Sequence, residues 1–146
     1  MEHISPIRVL AVDDHPTFRE GLVLFVGTDS GMKVVAEAAN GREAVEQFRQ
    51  HRPDITLMDL QMGTMNGNDA ITAIRAEFPE ARIIVLTTYP GDVRVIRAFQ
   101  AGAWGYVLKS SVGKDLLETI RSVHAGEKRI PPEIMAQIAE DAAQDS

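Results

Sequence analysis

Three carboxylates, two hydroxyl groups and one ammonium group stand at the ends of short apolar runs in this 146-residue sequence. They belong to Asp13 and Asp14 after the first run, Asp59 after the third, Thr87 and Thr88 after the fourth, and Lys109 after the fifth. In a parallel sheet the carboxyl ends of the strands lie along one edge, where ligands bind. The pattern therefore predicts that these groups meet in a single crevice.

The three carboxylates indicate the chemistry of that crevice. Carboxylates packed this closely repel one another, so at least one should have a raised pKa unless a cation is bound. Oxygen ligands of this kind, with water completing an octahedron, suit Mg²⁺ better than zinc or copper. One lysine and one Mg²⁺ would cancel the charge of the three carboxylates. The residue types thus favour a magnesium site that is open to an anionic phosphoryl group.

Each of these residues also has an ordinary interpretation. Asp13 and Asp14 could cap the first helix and favour its positive end. Asp59 could be a simple strand-end acid, and Lys109 could be a solvated surface lysine. Taken alone, each of these readings is reasonable. The coincidence at four separate strand ends favours one phosphoryl site over four unrelated explanations.

His15 directly follows the acid pair and is a rival metal ligand, since histidine with carboxylates can bind transition metals. It begins a helix beside Pro16, and the other histidines are scattered along the chain with none at ligand spacing. A loop or capping role is therefore the favoured interpretation of His15.

The composition predicts one soluble globular domain. Hydrophobic residues make up 45% of the chain and charged residues 25%, and a chain of this length buries a sizeable core. The net charge of -6 argues against binding nucleic acid or an anionic membrane through bulk electrostatics. The chain has no cysteine, which excludes disulfides and thiol chemistry. No secretory signal or membrane span is evident, so a cytoplasmic location without membrane contact is expected.

Short apolar runs alternate with longer amphipathic stretches, which is typical of repeated βα units. The predicted strands cover residues 7–13, 33–39, 54–59, 82–87 and 104–109. These runs are too short for buried helices, and the stretches between them carry apolar residues at helical spacing. Nearly continuous apolar strands imply a parallel sheet covered on both faces, with right-handed crossovers. The predicted fold is an open, doubly wound α/β sandwich.

The last twenty residues, 127–146, differ from the rest of the chain. Pro131 and Pro132 interrupt the pattern, and the end is polar and acidic. Ile134 and Ile138 share one face of a short predicted helix. We interpret this segment as a capping helix or a linker.

The stretches "VDDHPTFREGL", "LMDLQMGTMNG", "VLTTY" and "AGAWGYVLK" resemble the receiver domain of response regulators, in the subgroup with LuxR-type or NarL-type DNA-binding outputs. The resemblance runs from about Ile7 to Gly126. It implies a flavodoxin-like (βα)5 fold with strand order 2-1-3-4-5. It also implies a receiver domain over residues 1–126 and a linker or C-terminal helix over 127–146, which is too short for an output DNA-binding domain.

The resemblance implies a role for the acids. Asp59 is the phosphoacceptor and takes a phosphoryl group from the phosphohistidine of a histidine kinase or from a small acyl phosphate. Asp14, Asp59 and the backbone carbonyl of Gln61 bind Mg²⁺, and Asp13 holds a metal-bound water. The protein is then a self-catalysing phosphoacceptor switch of a two-component system, and not an enzyme with an external substrate.

The resemblance also implies how the switch works. Lys109 pairs with the phosphoryl oxygens, and Thr87 moves to donate a hydrogen bond to one of them. The loops that move with them repack Tyr106 and the helix from about Asp92 to Gln100. The expected result is control of homodimerisation or of an output, with DNA contacted only through an output domain that regulates transcription.

Two positions depart from the usual receiver pattern. Gly63, followed by Thr64, stands where receivers usually have proline, which predicts a looser loop after Asp59. Ser110 follows Lys109 where proline is common, so a cis bond is not expected there. These differences predict an altered phosphoryl lifetime.

Two other functions fit parts of the pattern. A Mg²⁺-dependent aspartyl-phosphate phosphatase of the haloacid dehalogenase type needs a second aspartate two residues after the nucleophile, where this chain has Gln61. A flavodoxin-like cofactor protein needs hydroxyl and amide donors after the first strand, where this chain has Asp13 and Asp14. The phosphatase is the stronger alternative.

Overall fold

The computed structural model describes residues 5–62, 65–89, 91 and 93–144. Within these residues, strands and helices alternate along the chain: β1 Ile7–Val12, α1 Pro16–Gly27, β2 Met32–Ala38, α2 Gly41–His51, β3 Ile55–Asp59, α3 Gly67–Glu77, β4 Ile83–Thr87, α4 Val93–Gln100, β5 Gly105–Leu108, α5 Val112–His124 and α6 Pro132–Gln144. A single 3-10 turn over Lys109–Ser111 joins β5 to α5.

The five strands form one parallel sheet in the order β2-β1-β3-β4-β5. The residues of β3 and β4 are all buried, as expected for parallel strands that are covered on both faces. The predicted α/β fold and strand order are confirmed. The predicted strand ends differ by one residue or so, and Lys109 lies in the 3-10 turn just beyond β5.

Each face of the sheet has its own apolar core, because alternate side chains of a strand point to opposite faces. Leu22 and Val26 of α1 pack with Leu116 and Ile120 of α5 against one face. The other face is covered by α2, α3 and α4, whose buried residues are Ala44, Val45, Phe48, Ala70, Ile71, Ile74, Val95, Ala98 and Phe99. The two helix layers hold the strand ends in register at the carboxyl edge. No helix among the described residues is long and apolar enough to cross a membrane.

The C-terminal segment returns to the sheet and packs on α4. The backbone N–H of Arg129 donates to the carbonyl of Trp104 over 2.7 Å. Ile134 of α6 is only 8% exposed and joins the core of the α4 face, and Ile138 packs against the same core. Helix α6 is thus a packed element, held by a short apolar stripe.

We expect Ile134→Ala to lower the free energy of unfolding by about 2 kcal/mol, because it removes buried methyl groups and leaves a cavity between α6 and α4. Urea titration of the whole chain, followed by circular dichroism, measures the change. Met135→Ala is the matched control on the same helix, since Met135 is 52% exposed. Equal effects of the two substitutions would contradict the packing of α6.

Candidate functional site

The structure brings the three predicted carboxylates together at the carboxyl edge of the sheet. β1 and β3 are neighbours, and Val12 pairs with Met58, so the residues that follow, Asp13 and Asp59, stand side by side. Both are fully buried, whereas the side chain of Asp14 is 35% exposed. Oxygen atoms of all three lie within 4.8 Å of one another. The edge therefore concentrates negative charge in a small crevice.

Lys109 lies between the two buried carboxylates. Its Nζ is 2.8 Å from Oδ2 of Asp13 and 3.4 Å from Oδ1 of Asp59, and its side chain is 12% exposed. The same ammonium lies 4.6 Å from the centre of the Phe18 ring in α1, close enough for a cation–π contact. Phe18 was not predicted as a site residue from the sequence. The ammonium offsets part of the charge of the acid pair.

The two carboxylate oxygens of Asp59 differ in their hydrogen bonding. Oδ1 accepts a hydrogen bond from the backbone N–H of Gln61 over 3.0 Å. Oδ2 is buried and has no hydrogen-bond partner among the described residues. A buried carboxylate oxygen without a partner is unusual in a folded protein and requires an explanation. Binding of a cation or a phosphoryl group at Oδ2 would supply one.

The pKa of Asp59 is raised from 3.8 to about 6. Burial is the largest cause, and the charge of Asp13 adds to it, while the Gln61 N–H and Lys109 act in the opposite direction. The sequence predicted a raised pKa in the carboxylate trio, and this is confirmed for Asp59. The predicted cause, repulsion between the acids, is a smaller contribution than removal of the carboxyl from water.

Neither aspartate of the acid pair caps α1, so that part of the ordinary interpretation is wrong. His15, and not an aspartate, occupies the N-cap position of α1, and its side chain makes no capping hydrogen bond to the described residues. Oδ1 of Asp13 instead accepts from the backbone N–H of His15 over 2.8 Å. Nδ1 of His15 lies 2.9 Å from Oδ1 of Asp14 and 3.2 Å from Oδ1 of Asp13. The ring therefore faces the carboxylates, which the sequence analysis did not favour.

The hydroxyl groups lie at the end of β4, next to the acids. Thr87 is fully buried, and its Oγ1 accepts from the backbone N–H of Tyr89 over 3.4 Å. Thr88 donates to the side-chain oxygen of Gln61 over 3.4 Å. This long contact links the loops that follow β3 and β4. The hydroxyl groups thus flank the crevice from the β4 side.

The remaining predicted residues lie further from the acids or are not among the residues that the structure describes. Tyr106 is partly buried in β5 and packs against the core of the α4 face. It also lines an open pocket of about 380 Å³ with Thr119 of α5 and with Ile130. Gly63, Thr64 and Asp92 lie outside the described residues.

The donor set fits a divalent cation. Hard carboxylate oxygens from Asp13, Asp14 and Asp59 converge within ligand range of one ion, and the buried Oδ2 of Asp59 lacks a partner among the described residues. Hard oxygen ligands of this kind are suited to Mg²⁺. The crevice can therefore hold a metal next to Lys109.

The raised pKa of Asp59 predicts a pH-dependent gain in stability for Asp59→Asn without added metal. Ionising Asp59 is harder in the folded chain than in the unfolded chain. The free energy of unfolding of the parent therefore falls as the pH rises from about 4, and the contribution of Asp59 to this fall is complete above about pH 6. We expect the variant to be more stable at pH 8 by on the order of 1–2 kcal/mol.

Thermal unfolding in buffers with EDTA between pH 4.5 and 8 measures this difference, which should shrink as the pH falls through 6. Glu133→Gln, which removes an exposed acid on α6, controls for the loss of one negative charge. An Asn variant that is less stable than the parent at every pH would contradict the assigned cost of burying Asp59.

Comparison with known proteins identifies the family of this chain. The family model described as the response regulator receiver domain matches residues 9–121. Response regulator protein VraR of Staphylococcus aureus (strain NCTC 8325 / PS 47) is 37% identical over 132 residues, which are 90% of this chain and 63% of VraR. The chain thus spans less than two thirds of the length of the curated relatives it matches.

Solved structures show the same architecture. A LuxR-family two-component response regulator from Aurantimonas sp. SI85-9A1 superposes with a TM-score of 0.84 at 40% identity, covering 95% of this chain and 99% of that one. The signal receiver domain of the response regulator NarL from Mycobacterium tuberculosis superposes with a TM-score of 0.79 at 32% identity, covering 84% and 99%. These matches give the phosphatase alternative no support. The chain belongs to the response regulator receiver family, with relatives of the LuxR and NarL type.

Proposed function

We propose that Asp59 accepts a phosphoryl group from a histidine kinase, with Mg²⁺ held by Asp14, Asp59 and the backbone carbonyl of Gln61, and with Asp13 acting through a metal-bound water. The observation that carries this proposal is the buried Oδ2 of Asp59, which has no hydrogen-bond partner among the described residues. It lies in a crevice that also contains an ammonium group. An anionic, cation-dependent ligand suits both features.

The chain's own residues account for most of the transfer step. Oδ1 of Asp59 is held by the Gln61 N–H and lies near Lys109, which leaves Oδ2 as the nucleophile. An O–P bond forms at Oδ2 as the P–N bond of the phosphohistidine breaks, and the electron pair of that bond returns to the imidazole. Mg²⁺, when bound, neutralises the carboxylates and the phosphoryl oxygens. In-line transfer of this kind needs positioning and charge neutralisation above all.

The new phosphoryl group changes the charge balance of the crevice. Asp59 becomes an acyl phosphate with a charge of about -2. Lys109 then exchanges part of its contact with Asp13 for the phosphoryl oxygens, and Thr87 donates to one of them from the end of β4. Tyr106 lies three residues before Lys109 in the chain, so we propose that it repacks as the switch residue. Such a local charge change biases a two-state surface.

At the level of the whole protein, the same proposal includes a homodimer on phosphorylation and control of transcription. DNA contacts would come through an output domain outside this chain. Residues 1–126 form the receiver, and 127–146 form its linker or C-terminal helix. The resemblance to LuxR-type and NarL-type regulators supports these assignments, together with a cytoplasmic location.

Intact-mass analysis after incubation with acetyl phosphate and Mg²⁺ tests the proposal. We expect the parent to gain one phosphoryl mass, and Asp59→Asn or addition of EDTA to abolish the gain. Asp54→Asn is the matched control, because Asp54 precedes the same strand at the opposite edge of the sheet. Equal gain by Asp59→Asn, or no gain by the parent, would refute the assignment. Turnover of many phosphate monoesters per chain would instead indicate a phosphatase.

A further inference from the structure

The imidazole of His15 is placed where it could contact a metal at the acid pair. Its Nδ1 lies 2.9 Å from Oδ1 of Asp14. The backbone N–H of the same residue donates to Oδ1 of Asp13 over 2.8 Å, which fixes the turn that carries the ring. The side chain is 65% exposed, so an ion can reach it from solvent.

The spacing fits two ligands of one ion. In an octahedral site with metal–ligand distances of about 2.1 Å, adjacent ligand atoms lie about 3 Å apart. Nδ1 of His15 and Oδ1 of Asp14 have this separation. A second feature points to a ligand at the same place, because Oδ2 of Asp59 is buried in this cluster without a partner among the described residues.

We propose that His15 supplies a nitrogen ligand to the metal site, so that the site prefers first-row transition ions such as Co²⁺ or Mn²⁺ over Mg²⁺. This inference rests on the metal site of the proposed function and adds the identity of the ion. Imidazole binds Co²⁺ far better than Mg²⁺, whereas carboxylates and water serve both ions. In the simpler alternative, the ring only donates a hydrogen bond to the carboxylates and does not discriminate between ions.

Isothermal titration of the whole chain with Co²⁺ and with Mg²⁺, without a phosphoryl donor, separates these alternatives. We expect His15→Ala to weaken Co²⁺ binding at least tenfold and Mg²⁺ binding less than twofold, and to alter the visible absorption of bound Co²⁺. His51→Ala, at the end of α2, controls for binding by a surface histidine. His15→Gln gives a second test with a polar side chain.

Equal changes in Co²⁺ and Mg²⁺ affinity on loss of His15 would overturn the nitrogen ligand and leave the proposed function intact. If the parent bound neither ion, the nitrogen ligand and the metal site would both be refuted. The intact-mass assay then shows separately whether Asp59 accepts a phosphoryl group.

A second and independent feature is the cover formed by residues 128–144 over the surface of α4 and β5. Arg129 joins the sheet edge at Gly105, and Lys128 Nζ lies 5.3 Å from the centre of the Trp104 ring. Ile134 and Ile138 of α6 pack on the core of the α4 face. The C-terminal segment therefore covers part of the surface of α4 and β5, which is the surface expected to switch under the proposed function.

The C-terminal segment borders two open pockets, one of which Tyr106 also lines. Tyr106 shares an open pocket with Ile130 and Pro131 of the segment, and three residues later in the chain Lys109 reaches the buried carboxylates. A second pocket of about 460 Å³ lies between α4 and α6, with Gln137 on its α6 side. Movement of Tyr106 or α4 would therefore reach the contact between α4 and α6, to which Ile134 and Ile138 contribute.

We propose that α6 is docked on α4 in the unphosphorylated chain and is released when Asp59 is phosphorylated. The inference rests on the proposed function and makes α6 an internal competitor for any partner of the α4 surface. Release of a docked segment by a new charge is an established type of switch.

The chain has no cysteine, so a single introduced thiol reports on docking. We expect the thiol of Ile134→Cys to react with a maleimide at least threefold faster after treatment with acetyl phosphate and Mg²⁺. The rate for Met135→Cys, on the exposed side of the same helix, should not change. Ile138→Cys offers a second, partly buried position on the same face of α6 if Ile134→Cys folds poorly.

Adding Asp59→Asn to Ile134→Cys should abolish the acceleration. The same samples are weighed by intact mass, which shows the phosphorylated fraction. An unchanged rate in a phosphorylated sample would overturn the release of α6 while leaving phosphorylation established, and equal acceleration at both positions would indicate general loosening of the fold.

Discussion

The placement of two buried carboxylates side by side is the constraint on which the rest of this structure depends. Asp13 and Asp59 follow the paired residues Val12 and Met58 of adjacent parallel strands, and apolar cores on both faces hold those strands in register. The acids cannot separate without breaking the sheet. Their repulsion and their loss of water are therefore imposed by the fold, and the Lys109 ammonium reduces only part of that cost. A cation completes the charge balance of such a crevice.

The backbone around Asp59 is fastened by close contacts that require glycine. A Cβ on Gly67, the first residue of α3, would lie 2.5 Å from the carbonyl oxygen of Asp59, so only glycine lets α3 begin directly against the end of β3. On the other side, the N–H of Gly41 donates to the carbonyl of Met65 over 3.1 Å. The loop that follows Asp59 is thus held at its α3 end by the first residues of two helices, α2 and α3. These backbone contacts fix the position of Asp59 at the end of β3.

Much of the fold could be predicted because apolar periodicity records directly which faces of strands and helices are buried. The same pattern located Asp13, Asp59 and Lys109 at strand ends. Parallel pairing of the strands then brings these ends to one edge of the sheet. Periodicity does not record distances between elements. It could not show that Lys109 lies nearer to Asp13 than to Asp59, or that the ring of His15 turns toward the acids. Periodicity also could not predict that Ile134 packs on α4, because an apolar stripe on a helix does not show which surface of the protein the stripe contacts.

The raised pKa of Asp59 shows how stability and function are linked at this site. A carboxyl with a pKa of about 6 is mostly charged at neutral pH, as the proposed function requires of Asp59, yet the charge lies in a place where it lowers the stability of the fold. Any ligand that neutralises the crevice relieves this cost and is bound more tightly as a result. The burial that raises the pKa of Asp59 therefore also favours binding of a cation at this edge of the sheet. Under the proposed function it would favour a phosphoryl group there as well, and Lys109, just after β5, would carry the effect toward Tyr106 and α6.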